Sequence, residues 1–165
     1  MLIILESADC CGKTTLINWL QYKYGFKLIY TPRKPGPEQV YEADFDEFLL
    51  QRVAEQNKVY LLDRHTPSNY AYGLMRNESA TLDYLAEWLT FKNKAEHGLC
   101  TIWLTRSAKP IDDDLISLSK EQDNKVLGAY EHLADLASEP MFNLVENKHT
   151  YKNIEDYIWQ KLQLV

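Results

Sequence analysis

Residues 1–15, Met-Leu-Ile-Ile-Leu-Glu-Ser-Ala-Asp-Cys-Cys-Gly-Lys-Thr-Thr, constrain the fold more than any other stretch of the chain. Leu2 to Leu5 form an unbroken aliphatic run, which suits a strand covered on both faces of a parallel sheet and not one half open to water. From Lys13 the pattern changes to Leu16, Ile17 and Leu20 at helical spacing, so the intervening loop joins a strand end to a helix N-terminus. Unpaired backbone N–H groups and the positive end of the helix dipole converge there on an anion. This is the layout of a phosphate-binding P-loop, with Ala8, Asp9, Cys10, Cys11, Gly12, Lys13, Thr14 and Thr15 as the candidate ATP-binding residues. Lys13 would reach the β- and γ-phosphates, and the Thr14 hydroxyl would sit on Mg²⁺.

The usual pattern is G-x-x-x-x-G-K-[ST], and Ser7 stands at its first glycine. A serine with positive φ would cost about 1 kcal/mol, so Ser7 is expected to keep an extended φ while the loop still closes on phosphate.

Strand and helix patterns then alternate along the chain. Strands are expected at Lys27–Tyr30, Val59–Leu62, Cys100–Leu104 and Met141–Val145. Helices are expected over Ala43–Gln56, Ser68–Arg76, Ala80–His97, Ser119–Ala137 and Ile154–Leu162, the third with Leu82, Leu85, Leu89 and Trp88 facing inward. The alternation predicts an α/β fold: a five-stranded parallel sheet flanked by helices, three layers deep, in one domain spanning 1–165. Ligands of such sheets sit beyond the carboxyl ends of the strands. The polar clusters at Glu6–Lys13, Thr31–Gly36, Asp63-Arg64 and Thr105-Arg106 all fall at such ends and should meet in one cleft.

With 18 basic and 24 acidic residues, the net charge of −6 argues against sequence-independent binding to nucleic acid, which needs an electropositive face. A mononucleotide needs only local positive charge. No apolar run approaches the roughly 18 residues of a membrane span and no leader pattern opens the chain, so a cytoplasmic protein without membrane contacts is expected. The three cysteines read as reduced thiols. Two readings stand for Cys10 and Cys11: thiols acidified by the helix N-terminus and Lys13, or small fillers of loop positions.

Three motifs in register resemble those of the thymidylate kinases and related deoxynucleoside monophosphate kinases, small viral-type members among them. Their E-G-x-D-G-x-G-K-T-T is matched at Glu6, Asp9 and Gly12–Thr15, their T-R-E-P-G by Pro32-Arg33-Lys34-Pro35-Gly36, and their D-R-Y-x-x-S-x-x-A-Y by Asp63-Arg64-His65-Thr66-Pro67-Ser68-Asn69-Tyr70-Ala71-Tyr72. The similarity covers mainly residues 1–75. It implies a P-loop NTPase fold with a short lid at about 105–118, ATP and Mg²⁺ as cofactors, small-molecule nucleotides as partners and a homodimer.

The resemblance also implies roles. Lys13, Asp63, Arg64 and Arg106 would be catalytic, and Thr14 and Asp63 would serve the metal. Asp9, Arg33, Arg64 and Tyr72 would bind the acceptor, Asp9 through its 3′-hydroxyl and the arginines through bidentate contacts to its phosphate. Phe48 and Arg52, one helical turn apart, would stack on the base and bond its edge. Arg106 and Lys109 would serve the lid, and Asp112-Asp113-Asp114 would cap the next helix or hold metal. Trp88 and Phe91 would belong either to a dimer face or to the core.

The leading functional expectation is a kinase moving the ATP γ-phosphoryl group to a pyrimidine deoxynucleotide, dTMP first. A deoxynucleoside kinase with Glu6 as base for the 5′-hydroxyl, and a nucleotide-binding regulator without turnover, are the alternatives.

Overall fold

The computed structural model describes residues 1–30, 42–55, 57–95, 97–107, 118–144 and 149–163. Within them the chain runs β1 (Leu2–Ser7), α1 (Lys13–Tyr24), β2 (Lys27–Ile29), α2 (Glu42–Ala54), β3 (Tyr60–Asp63), α3 (Thr66–Arg76), α4 (Thr81–Lys94), β4 (Leu99–Thr105), α5 (Lys120–Ala137), β5 (Met141–Asn143) and α6 (Thr150–Gln163). The strands form one parallel sheet in the order β2-β3-β1-β4-β5.

β1 lies at the centre because it can be buried from every side. Its six residues are all buried, with β3 on one edge and β4 on the other. Leu2 to Leu5 are 0% exposed, and each such side chain contributes roughly 1.5–3 kcal/mol of burial. Ser7 is the last residue of this strand, paired with Leu104, and is absent from the positive-φ residues, so its extended backbone is as expected.

Parallel pairing sets all strand carboxyl ends on one edge, where the loops after β1, β3 and β4 come together. The loops at 31–36 and 108–117, which carry Arg33, Lys34, Lys109 and Asp112-Asp113-Asp114, lie outside the described residues, as does most of the expected lid.

α4 turns Trp88 inward and packs Leu85 against the core, as expected, but leaves Leu82 and Leu89 outside. Leu82 is 74% exposed and Leu89 38%, while Trp88 and Phe91 are each 1% exposed. The two aromatics bury more area than leucines and meet partners: Trp88 packs edge-on to Trp103 at 6.1 Å, and Phe91 lies 4.6 Å from the His65 ring. Their burial makes them core residues and removes them as a dimer face.

Local signals explain the sharpest boundaries. Ser119 caps α5 in a capping box, its hydroxyl accepting from Gln122 N at 3.2 Å while Gln122 Oε1 accepts from Ser119 N at 2.9 Å. No described helix is long and apolar enough to cross a membrane.

Candidate active site

The loop after β1 turns through two left-handed residues, Cys10 (φ 60°) and Gly12 (φ 83°), before α1 begins at Lys13. Gly12 fits by chemistry, because it has no Cβ to pay for that φ and an added one would press on Leu144 at 3.3 Å. Cys10 does not. The strain of this loop therefore sits at the position where the resembling family has its middle glycine, and not at Ser7. The cysteine side chain is exposed, so packing does not hold it there. Relief of the left-handed penalty, about 1–2 kcal/mol, should outweigh the roughly 0.5–1 kcal/mol entropic cost of glycine in the unfolded chain. Cys10→Gly is thus expected to stabilise the protein by about 0.5–1 kcal/mol in urea unfolding, and a destabilised variant would refute the strain.

Residues 8–15 and Arg64 line one cavity of about 280 Å³ at this edge. On one wall Lys13 Nζ is ion-paired with Asp63 at the end of β3. At the same cavity Arg64 Nη2 donates to Asp9 Oδ1 at 2.5 Å, and Tyr72 OH donates to Asp9 Oδ2 at 2.9 Å. The Arg64 guanidinium also lies over the Tyr72 ring at 5.2 Å, while its Nε is buried with no partner among the described residues. Burial first, and Asp9 beside it, push the Tyr72 hydroxyl up to about 12, so it stays a donor. Asp9, Lys13, Asp63, Arg64 and Tyr72, drawn from three segments of sequence, are thereby brought into one cleft.

Two expected site residues, Arg52 and Arg106, are engaged elsewhere. Arg52 is ion-paired with Glu55, with its guanidinium 4.6 Å from the Phe48 ring and 5.9 Å from that of Tyr60. Tyr60 opens β3 whereas Asp63 closes it, so this cluster sits roughly 10 Å along the strand, toward the opposite edge of the sheet. Arg52 therefore has the expected spacing from Phe48 but turns to Glu55 and Tyr60. Arg106 is 4% exposed behind the loop: its Nε donates to the Asp9 carbonyl at 3.0 Å and its Nη2 to Asp123 Oδ1 at 2.6 Å. It braces the P-loop against α5 instead of approaching from a lid.

The cysteines follow the filler reading in part. Cys11 is buried, and burial pushes its thiol up to about 11, the opposite of activation.

The structure also reveals a polar network that spacing did not suggest. Glu6, expected as a base in one alternative, is fully buried, its carboxylate accepting from His65 N at 2.6 Å and Ser68 Oγ at 2.7 Å. Ser68 Oγ in turn bonds Tyr130 OH at 2.8 Å. His65 bonds Asp46 through Nε2 at 2.8 Å and Thr66 through Nδ1 at 2.7 Å. Only the register of Ser68 after Asp63-Arg64 pointed this way.

Burial raises the Glu6 carboxyl from 4.5 to about 7, against the opposing pull of Ser68, the His65 N–H, Arg64 and Lys13. Its folded pKa lies above the unfolded one, so the stability it contributes is full below pH 4.5 and is lost as pH rises through 7. Above that, a buried carboxylate costs on the order of 3 kcal/mol. Glu6→Gln should accordingly match wild type near pH 4.5 and exceed its stability by up to about 3 kcal/mol at pH 8, measured by denaturant unfolding across pH. A difference that does not change with pH would contradict the assignment.

Among the described residues no group of three or more His, Cys, Asp or Glu side chains could hold a metal unaided. Mg²⁺ does not need one, since it keeps waters and takes one or two protein oxygens besides phosphate. The exposed Thr14, which lines the cavity, and the half-open Asp63 carboxylate, paired with the cavity's Lys13, suit that donor set.

No protein-family model matches the chain, and no curated protein matches it in sequence. Solved structures do. The YorR protein of Bacillus subtilis, solved in complex with phosphorylated GDP, is 19% identical over 99% of this chain and 96% of its own, with a TM-score of 0.64. Thymidylate kinase from Candida albicans is 18% identical over 98% and 90%, with a TM-score of 0.57. Thymidylate kinase from Ehrlichia chaffeensis is 16% identical over 99% and 98%, with a TM-score of 0.52. The chain shares its parallel α/β fold with these three structures.

Proposed function

We propose that the protein is a deoxynucleoside monophosphate kinase, transferring the γ-phosphoryl group of ATP to the phosphate of a deoxynucleotide, with dTMP the first acceptor to test. The observation that carries this reading is the pairing of cations around one cavity: Lys13 from the loop after β1 and Arg64 from the end of β3. Two polyanions must meet for such a transfer, and a site serving both needs positive charge on each side.

In this mechanism the backbone N–H groups of residues 8–15 and Lys13 cradle the ATP phosphates. Arg64, with Arg33 from outside the described residues, takes the acceptor phosphate bidentately. An acceptor phosphate oxygen forms the new bond to the γ-phosphorus as the bond to the β–γ bridging oxygen breaks, and ADP leaves. Lys13 balances the charge that builds on the transferred group. Mg²⁺, held by Thr14 and Asp63 with the nucleotide, would neutralise β- and γ-oxygens. Asp9 and Tyr72 orient Arg64 and present hydrogen-bonding groups to the acceptor sugar.

The placement of Glu6 disfavours a deoxynucleoside kinase, since a base must touch the hydroxyl it deprotonates and both Glu6 oxygens are sealed in the core. Because Arg52 turns to Glu55 and Tyr60, the acceptor base is an open variable of the assay. ADP release should be followed with dTMP, dUMP, dCMP, dGMP and dAMP, and with thymidine as the control. Acceptor-dependent release with a monophosphate and not with thymidine is the expected result, and release with none of the monophosphates refutes the reading.

A further inference from the structure

The mechanism leaves one buried carboxylate unused, and its contacts explain how Arg64 is held. His65 is the N-cap of α3, yet no side chain of its own segment caps that helix. In a capping box the N-cap N–H is bonded by a side chain three residues into the helix. Here that residue is Ser68, which is too short to reach back and donates to Glu6 instead. Glu6 thus supplies, from the end of β1, the acceptor that α3 lacks, and its Oε1 takes the His65 N–H.

One residue earlier the same stitching recurs, with Arg64 N donating to the Leu5 carbonyl at 3.1 Å. Two successive N–H groups after β3 are therefore captured by two successive residues of β1. The chain between them is forced through a left-handed turn, with Arg64 at φ 71°, a conformation a residue with a Cβ avoids unless its surroundings impose it. That turn sends the guanidinium back over Asp9 and Tyr72.

We propose that Glu6 is a positioning residue, fixing through the His65 N–H the left-handed turn that aims Arg64 at the acceptor phosphate, so that it sets acceptor affinity without touching substrate. This rests on the kinase reading above. Glutamine at position 6 can do the same work: its oxygen accepts from His65 N, its amide donates to Ser68 Oγ, and the Ser68 proton turns to Tyr130 OH. Alanine cannot.

The test compares full-length wild type, Glu6→Ala and Glu6→Gln by steady-state kinetics and by amide hydrogen exchange at His65. For Glu6→Ala the acceptor KM should rise about tenfold or more while the ATP KM stays within about twofold, and His65 exchange should quicken at least about tenfold. Glu6→Gln should return all three to within about threefold of wild type. A loss of about 100-fold in kcat for Glu6→Gln would make Glu6 the base and overturn the proposal. Faster His65 exchange in Glu6→Ala with an unchanged acceptor KM, or equal rises in both KM values, would also overturn it by reducing Glu6 to a structural support. Should wild type transfer to no monophosphate, the kinase reading fails separately. The positioning role then stands if His65 exchange quickens in Glu6→Ala and recovers in Glu6→Gln, and falls if it does not change.

Discussion

Lys13→Ala is expected to lower kcat by about 10²–10³-fold with the fold intact, the loss typical of removing one preorganised donor from a developing charge. The helix that carries Lys13 does not depend on its ammonium, since α1 is held by Leu16, Ile17 and Leu20 in the core. Its partner, Asp63, is 43% exposed and can turn to water when the pair is lost. Circular dichroism should therefore be unchanged while turnover collapses. Turnover within tenfold of wild type would remove Lys13 from the mechanism and the P-loop reading with it.

Arg106→Met should have the largest effect on stability, about 3–5 kcal/mol, or roughly 10 °C in melting temperature. The side chains of Arg106 and Asp123 are 1% and 10% exposed, so removing the cation strands a buried carboxylate and leaves the Asp9 carbonyl with only the weak Cys11 thiol as donor. Nothing comparable follows from losing an exposed pair such as Lys125 with Glu121. Because an apolar replacement of both partners can be nearly neutral, Arg106→Met with Asp123→Leu should recover most of the loss. A single variant within about 1 kcal/mol of wild type would show that the pair supports nothing. ATP affinity should fall with the single substitution, since the loop behind Asp9 loses its brace.

The strands, the order of elements and the P-loop were legible because each rests on short-range pattern. Apolar runs mark strands buried on both faces, and Gly-Lys-Thr-Thr needs only its immediate neighbours to be read. What escaped depends on direction and competition. Phe48 and Arg52 are correctly spaced, but spacing along a helix says nothing about which end faces the cleft. α2 links parallel strands and so runs back toward their amino ends, carrying Arg52 to the level of Tyr60.

On α4 Trp88 was legible as inward-facing, but the sequence does not reveal that Phe91, which meets His65, displaces Leu82 and Leu89 from the core side. Ser7 keeps the extended φ expected of it, as β1 simply continues, whereas no local pattern marked Cys10 as the residue with the positive φ. Arg106 looked like a lid residue because its partner Asp123 lies 17 residues on, beyond any local pattern.

Three of the supports of Asp9 come from far along the chain: Arg64 is 55 residues away, Tyr72 63 and Arg106 97. Contacts of such separation form late in folding, because the long loops between them must close before they return any energy. The phosphate site is then among the last parts of the molecule to exist during folding. Nucleotide, which can grip only the finished loop, should slow unfolding and leave the folding rate almost untouched.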